Sequence, residues 1–156
     1  SICNADPAAD YPAALLSLNA GINTNSREIL AKDFFIDMFE TKLEGSEIVT
    51  SVTFPIKKKS FYLKFSSQAS KYAIVGMFGS FDGDRVSVSI TGAANKVFSL
   101  EEINNLSPNQ LKVYDFDKLD LNKISINSDI HASAEYRSSL IKNMLPKLIN
   151  DMFENE

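Results

Sequence analysis

The sequence contains few of the residues that build disulfide frameworks or metal centres. Among 156 residues there is one cysteine, Cys3, one histidine, His131, and no tryptophan. A single cysteine excludes an intrachain disulfide framework and is typical of a reducing compartment, so a cytoplasmic location is expected. A single histidine excludes a metal site made of several His and Cys ligands.

Excess basic charge and long apolar runs are also missing. The chain has 16 Lys and Arg against 20 Asp and Glu, a net charge of −4, which argues against a nucleic-acid-binding face. The short basic run at 57–59 is interpreted as a solvated loop. No apolar run approaches the ~20 residues needed to cross a bilayer.

The first third of the chain predicts short elements. Asp6 and Pro7 indicate a helix start, and the run that follows predicts a helix over 7–19. Turn-forming residues at 23–26 predict a hairpin over 21–30, and one helical turn is expected at 32–35. Alternating residues predict a strand over 47–54.

The remainder predicts an antiparallel sheet followed by helices. Strands are expected near 60–66, 74–82 and 85–92, and the Asp82-Gly83 turn between the last two is a strong hairpin signal. Because strands precede helices, the pattern predicts an α+β fold. The predicted helices cover 99–105, with a capping box of Ser99 and Glu102, then 108–113, then 132–153, with Pro146 inside.

Residue chemistry alone gives few candidate functional groups. Asp6 and Asp10 are expected to share the first helical turn, where capping is favoured over an acid/base pair. His131 is interpreted as structural, and Cys3 has no neighbouring base to make it a nucleophile. No phosphate-binding glycine motif occurs. These residues indicate a soluble α+β module and no specific reaction.

Five segments, in order, resemble the flavin (medium) subunit of molybdenum hydroxylases, the xanthine dehydrogenase and carbon monoxide dehydrogenase family. Residues 1–15 read SICNADPAADYPAAL, and 33–41 resemble the family stretch DFFxGxFET. The strand at 47–55 resembles EIxxxxxxP, and 62–76 resemble YxKF followed by DYAIVG. Residues 129–137 resemble DIRASAEYR.

The resemblance implies two regions and a missing part. Residues 1–55 are expected to be the end of an FAD-binding domain, a partial lobe. Residues 57–156 are expected to form a domain like the C-terminal domain of carbon monoxide dehydrogenase flavoproteins, with a three-stranded antiparallel sheet and helices. The glycine-rich loops that hold the FAD diphosphate are absent, so the chain is interpreted as a fragment that completes a site with an N-terminal half.

The resemblance also implies flavin contacts, residue by residue. Asp10 is expected to hydrogen-bond FAD, and Lys64 and Tyr72 are expected to lie beside the isoalloxazine. Two departures are noted: Lys71 stands where relatives usually have Asp, and His131 where they commonly have Arg. The full set of expected cofactor-binding residues is Ser1, Cys3, Asp10, Val49, Lys64 and Tyr72.

The function implied is electron transfer within an oxidoreductase. A molybdenum–pterin large subunit and a small subunit with 2Fe-2S clusters would be the partners, and FAD would pass electrons to an external acceptor; no residue here is expected to be catalytic. Two alternatives remain open. The chain could be a non-catalytic assembly module that binds no FAD alone, or an unrelated ligand-binding α+β protein.

Overall fold

Short helices and strands occupy the first half of the chain, and a larger sheet followed by helices occupies the second. The computed structural model describes residues 2–57 and 59–153. In chain order the elements are α1 (Tyr11–Ser17), β1 (Gly21–Thr24), β2 (Glu28–Leu30), α2 (Ala31–Phe34), β3 (Phe35–Asp37), β4 (Glu40–Thr41), β5 (Val49–Thr53), β6 (Lys59–Ser66), β7 (Ala73–Phe81), β8 (Val86–Thr91), β9 (Phe98–Ser99), α3 (Glu101–Asn104), α4 (Pro108–Leu111), a 3-10 turn (Phe116–Lys118) and α5 (Ala134–Phe153).

The smaller of the two main sheets is antiparallel and has the strand order β2-β1-β5. Ile22 pairs with Ile29 on one side and with Val52 on the other. The Thr24 hydroxyl accepts hydrogen bonds from the amides of Ser26 and Arg27, which closes the hairpin. The hairpin and the strand predicted after it are therefore confirmed.

The larger sheet is antiparallel throughout, in the order β6-β7-β8-β9. Strands β6 to β8 are the three that the sequence predicts, and the two-residue β9 extends them at one edge. The Asp82 carboxylate accepts from the amides of Asp84 and Arg85, which fixes the turn between β7 and β8. The α+β fold class is thus confirmed.

Strand alternation gives the larger sheet two different faces. One face carries Met77 and Ile90 and packs against α5, where a Cβ added at Gly79 would lie 2.9 Å from Leu148. The opposite face carries Ser80, whose hydroxyl bonds Ser17 of α1. Helix α1 contacts β7 and β8. The outer strand β6 therefore remains open on this second face.

Two hydrophobic clusters form the core. The smaller is centred on Leu15, Ile22 and Phe34, and the larger on Met77 and Leu145. The smaller cluster also includes Val97, and the division into regions 1–55 and 57–156 stays a prediction. Among the described residues, no helix has the length and apolar character needed to span a bilayer.

Helix α1 is shorter than the predicted 7–19, because the residues before it dock on the larger sheet. The Asp6 carboxylate accepts from the amide of Ala8 at 2.9 Å, which makes a local turn. The carbonyl of Pro7 accepts from the amide of Gly92 at 2.7 Å. These contacts hold the segment against the end of β8, so it cannot wind into the helix.

The capping box predicted for Ser99 and Glu102 is wrong. Ser99 belongs to β9, and the Glu102 carboxylate instead accepts from the hydroxyl of Tyr114. The capping box that does form joins Ser107 and Gln110 at the start of α4. Both serines precede a suitable partner by three residues, and strand pairing decides between them.

Candidate functional site

A groove lies on the open second face, where the start of α1 approaches β6. Its volume is about 690 Å³. Three of the predicted flavin contacts, Asp10, Lys64 and Tyr72, line this groove together. We call it the Asp10 groove; its lining consists of Ala8, Ala9, Asp10, Tyr11, Tyr62, Lys64, Ser70, Lys71 and Tyr72.

Asp10 directs its side chain to β6 and not to its own helix. An aspartate at this position ordinarily caps the free amides of the helix, but no such hydrogen bond forms. One carboxylate oxygen, Oδ1, accepts from the Tyr62 hydroxyl at 2.5 Å, and the other, Oδ2, accepts from Lys64 Nζ at 2.9 Å. The predicted capping role, and the helical turn shared with Asp6, are therefore wrong.

The Asp10 carboxylate can still bind a ligand in this arrangement. It has one protein partner on each oxygen, whereas an ionised carboxylate can accept about four hydrogen bonds. Its side chain is 47% exposed, so it is open to the groove. A hydroxyl-bearing ligand could therefore donate to it without displacing Tyr62 or Lys64.

Tyr62 is the groove residue that the sequence analysis missed. Because it lies two residues before Lys64 on β6, both side chains point to the same face, and this spacing could have indicated it. Burial, together with the hydrogen bond to Asp10, raises the pKa of Tyr62 well above its usual value. Tyr62 is therefore a neutral hydrogen-bond donor at physiological pH.

The loop between β6 and β7 carries Tyr72 and Lys71 at the groove. The amide of Lys71 donates to the Ser67 carbonyl at 3.0 Å, and the amide of Ser67 donates to the Tyr72 carbonyl at 2.9 Å. Lys71 adopts a left-handed conformation, with φ of 62°. The Tyr72 side chain is 52% exposed, so its ring is available to a ligand.

Charge in the groove is positive overall. Lys64 is paired with Asp10, whereas among residues 2–57 and 59–153 no carboxylate forms a salt bridge with Lys71. Lys71 also stands at the position where relatives are expected to have an aspartate. The departure noted in the sequence therefore falls inside the groove and favours a ligand that carries negative charge.

The other predicted flavin contacts lie elsewhere. Cys3 is exposed at a separate cleft of about 300 Å³, which Tyr11 divides from the Asp10 groove. Val49 is half-buried against the smaller hydrophobic cluster. Ser1 lies outside the described residues. The cleft is lined by Ile2, Cys3, Tyr11, Leu15, Val52 and Phe54.

The segment around His131 is held by the ion pair between Arg137 and Asp129. Arg137 is 3% exposed and bonds Asp129 at 2.7 Å, while its other terminal nitrogen donates to the carbonyls of Ile74 and Gly92. Burial would raise the pKa of Asp129, but bonds from two backbone amides and from Arg137 lower it. The backbone amide of His131 donates to Asp129 at 2.8 Å.

The comparisons agree on one family. Residues 1–57 match the family model described as the FAD binding domain in molybdopterin dehydrogenase. The chain is 29% identical to the nicotine 6-hydroxylase medium subunit of Paenarthrobacter nicotinovorans, over 96% of this chain and 58% of that protein. It is also 29% identical to the glyceraldehyde dehydrogenase medium chain of Sulfolobus acidocaldarius, over 97% of this chain and 59% of that one.

The fold is also present in a solved structure. The quinoline 2-oxidoreductase structure from Pseudomonas putida 86 superposes with a TM-score of 0.80 at 22% identity, over 97% of this chain and 58% of the other. Over residues 1–57 the chain matches this FAD-binding family model, and over nearly its whole length it is similar to the medium subunits named above. It spans just under three fifths of the length of the curated relatives that it matches.

Proposed function

We propose that this chain forms one wall of an FAD site in the flavin subunit of a molybdenum-dependent oxidoreductase. The observation that carries the proposal is the convergence of Asp10, Lys64 and Tyr72 on one groove. The family model that matches residues 1–57, and so includes Asp10, describes an FAD-binding domain, which supports FAD as the ligand. By name, the relatives belong to enzymes that act on nicotine, glyceraldehyde and 6-hydroxypseudooxynicotine.

The groove residues fit part of a flavin nucleotide. Asp10 would accept hydrogen bonds from sugar or ribityl hydroxyls, and the ring of Tyr72 would cover part of the flat isoalloxazine. Lys64 and Lys71 would place positive charge near its polar edge. When bound, FAD supplies the redox chemistry, and these residues would bind and orient it.

The residues do not fit the diphosphate. That group needs close backbone approach and several donor amides, which glycine-rich loops provide. The lining of the Asp10 groove contains no glycine. We propose that the part of the medium subunit that lies outside this match supplies those loops, as an N-terminal half of the FAD-binding domain, and that residues 1–55 and 57–156 are separate regions.

The wider role follows from the relatives. We propose that the assembled subunit receives electrons from 2Fe-2S clusters in a small subunit and passes them to an external acceptor. A molybdenum–pterin large subunit would oxidise the substrate, an aldehyde, carbon monoxide or a heterocycle, in the cytoplasm. The chain's own residues would supply binding and orientation, with no acid, base or nucleophile among them.

A second candidate is a non-catalytic assembly module. It is favoured by the open shape of the groove and by the lack of a phosphate cradle in its lining. In that case Asp10, Lys64 and Tyr72 would be inherited without a ligand. The two candidates differ in whether flavin binds when the missing half is present.

A flavin titration tests the proposal. The purified chain is titrated with FAD, FMN and riboflavin, by fluorescence quenching and calorimetry, alone and with the N-terminal part of the nicotine 6-hydroxylase medium subunit. We expect weak or no binding alone and tight FAD binding in the assembled form. Absence of binding in both forms would favour the assembly module.

A further inference from the structure

The Tyr62 hydroxyl occupies a space that the opposite strand provides. Tyr62 lies on β6, and the neighbouring residue Lys64 pairs with Gly76 of β7. A Cβ added at Gly76 would lie 2.5 Å from the Tyr62 hydroxyl oxygen and 2.7 Å from a methyl group of Thr91. Any side chain at position 76 would therefore displace the phenol. The missing side chain is what allows Tyr62 to reach across the sheet to Asp10.

Asp10 is pulled toward this phenol against a competing local interaction. Its position before α1 normally favours a bond to the free amides of the first turn, yet that bond is absent. Tyr62 and Lys64 each take one of its oxygens instead. Lys64 alone is a flexible partner with three rotatable donors, so it fixes the pair poorly. The Tyr62 phenol, by contrast, has a single O–H donor at the end of a rigid ring.

We propose that Tyr62 is a positioning residue of the flavin site: it holds the Asp10 carboxylate toward the groove and keeps Lys64 paired with it. The inference rests on the proposed function for its ligand, but the geometry that it asserts belongs to the chain alone. Tyr62 is half-buried beneath the groove and acts through Asp10. Its loss would free Asp10 to turn back to α1.

The first test needs no flavin. In a nitrogen-labelled chain, a lysine ammonium gives a resolved NMR signal when a hydrogen-bonded ion pair slows its proton exchange; loss of one signal in Lys64→Gln identifies Lys64. We expect this signal in the wild type and its loss in Tyr62→Phe. Tyr114→Phe is the matched control, because it also removes a phenol-to-carboxylate bond, the one to Glu102.

Either of two results would overturn the positioning role. The Lys64 signal could persist in Tyr62→Phe, which would mean that Asp10 keeps its place without the phenol. It could also be absent from the wild type, which would mean that the pair is not held at all. Neither result depends on whether the chain binds FAD, so the proposed function stands or falls by its own titration.

The second test uses the assembled FAD site. We expect Tyr62→Phe to raise the FAD dissociation constant about tenfold, the effect of one hydrogen bond to a charged group. In an Asp10→Ala background the same substitution should have no further effect, because the residue through which it acts is gone. A merely structural role would give the same loss in both backgrounds and would contradict the proposal.

Discussion

Substitution of single side chains tests the ligand proposed for the Asp10 groove. We expect Asp10→Ala to weaken FAD retention in the assembled subunit about tenfold, because a hydrogen bond to a charged group is removed. Its salt bridge with Lys64 lies at the surface, and such pairs contribute about 0–1 kcal/mol to stability. Flavin content and thermal unfolding are measured on the same preparation.

The control for this substitution is Asp84→Ala. Asp84 is an exposed carboxylate in the turn between β7 and β8, far along the chain from the groove lining. It should leave both flavin content and unfolding temperature near the wild-type values. Unchanged flavin content in Asp10→Ala would remove Asp10 from the proposed site.

For Arg137, in contrast to Asp10, we expect the main effect of substitution to be on stability. Its guanidinium is buried and bonds Asp129 and the carbonyls of Ile74 and Gly92. Arg137→Met would leave the Ile74 and Gly92 carbonyls without their donor, and an unsatisfied buried acceptor costs about 1–3 kcal/mol. The Asp129 carboxylate is 46% exposed, so water can replace its lost partner. The free energy of unfolding in urea measures this loss.

Lys147→Met is the matched control for Arg137→Met. Lys147 forms a surface pair with Asp151 one turn along α5, and we expect a change of about 0.5 kcal/mol or less. Equal effects of the two substitutions would contradict the structural role given to Arg137. The resemblance identified this segment and noted His131 as a departure from the family, but it gave no role to Arg137, whose burial depends on where α5 docks.

At the scale of elements, an ion-pair cluster joins the first hairpin to the loop before β5. The Glu47 carboxylate accepts from Arg27 Nε at 2.8 Å and from the amide of Glu44 at 2.8 Å. The hydrogen bond from Arg27, followed by the one from the Glu44 amide, lowers the pKa of Glu47 to about 2. Ionised Glu47 therefore stabilises the connection between β1, β2 and β5.

The low pKa of Glu47 predicts a pH-dependent contribution to stability. A carboxyl group with a lowered folded-state pKa stabilises the fold above its unfolded pKa, and this contribution is lost as the pH falls toward the folded value. The stability difference between wild type and Glu47→Gln should thus be full at neutral pH and shrink between about pH 4.5 and pH 2. Urea unfolding at several pH values measures it.

The exposed glutamate Glu40 gives the control for the pH experiment. The stability difference between the wild type and Glu40→Gln should not shrink in this way at low pH. The exposed Glu40 side chain lies outside the ion-pair cluster of Arg27, Glu44 and Glu47. If the difference in unfolding free energy between the wild type and Glu47→Gln stays constant down to pH 2.5, the low pKa assigned to Glu47 is wrong. Other carboxyl groups titrate in both proteins and cancel in the difference.

Elements with strong local signals were predictable, and those decided by long-range contacts were not. The Asp82-Gly83 hairpin and the apolar stripe of α5 follow from local sequence. The start of α1 did not, because the docking of Pro7 on Gly92 joins residues far apart in the chain. Ser99 could have capped a helix locally, but pairing of β9 with β8 took precedence.

The same distinction applies to the site across the whole molecule. Resemblance placed Asp10, Lys64 and Tyr72 near one ligand, and the fold brings them to one groove. The role of Tyr62 needed the register of β6 against β7, because Gly76, which pairs with Lys64, leaves the space that the Tyr62 hydroxyl occupies beside Asp10.

The cleft at Cys3 provides a test of how the whole subunit is assembled. Its walls are mainly apolar, and Phe54, which lies in it, is 47% exposed. An N-terminal half that completes the FAD-binding domain would cover this surface, since burial of apolar area drives such association. Cys3 is the single cysteine of the chain, so its thiol reports on this place alone.

We expect the Cys3 thiol to react readily with Ellman's reagent in the isolated chain, and about tenfold or more slowly once the N-terminal half is bound, because access limits thiol reactivity. The added half must first have its own cysteines replaced by serine. Adding FAD to the isolated chain is the control, and it should leave the rate unchanged. An unchanged rate in the assembled form, with tight FAD binding, would mean that the added half completes the groove from the side of Lys71 and Tyr72 and leaves the Cys3 cleft open.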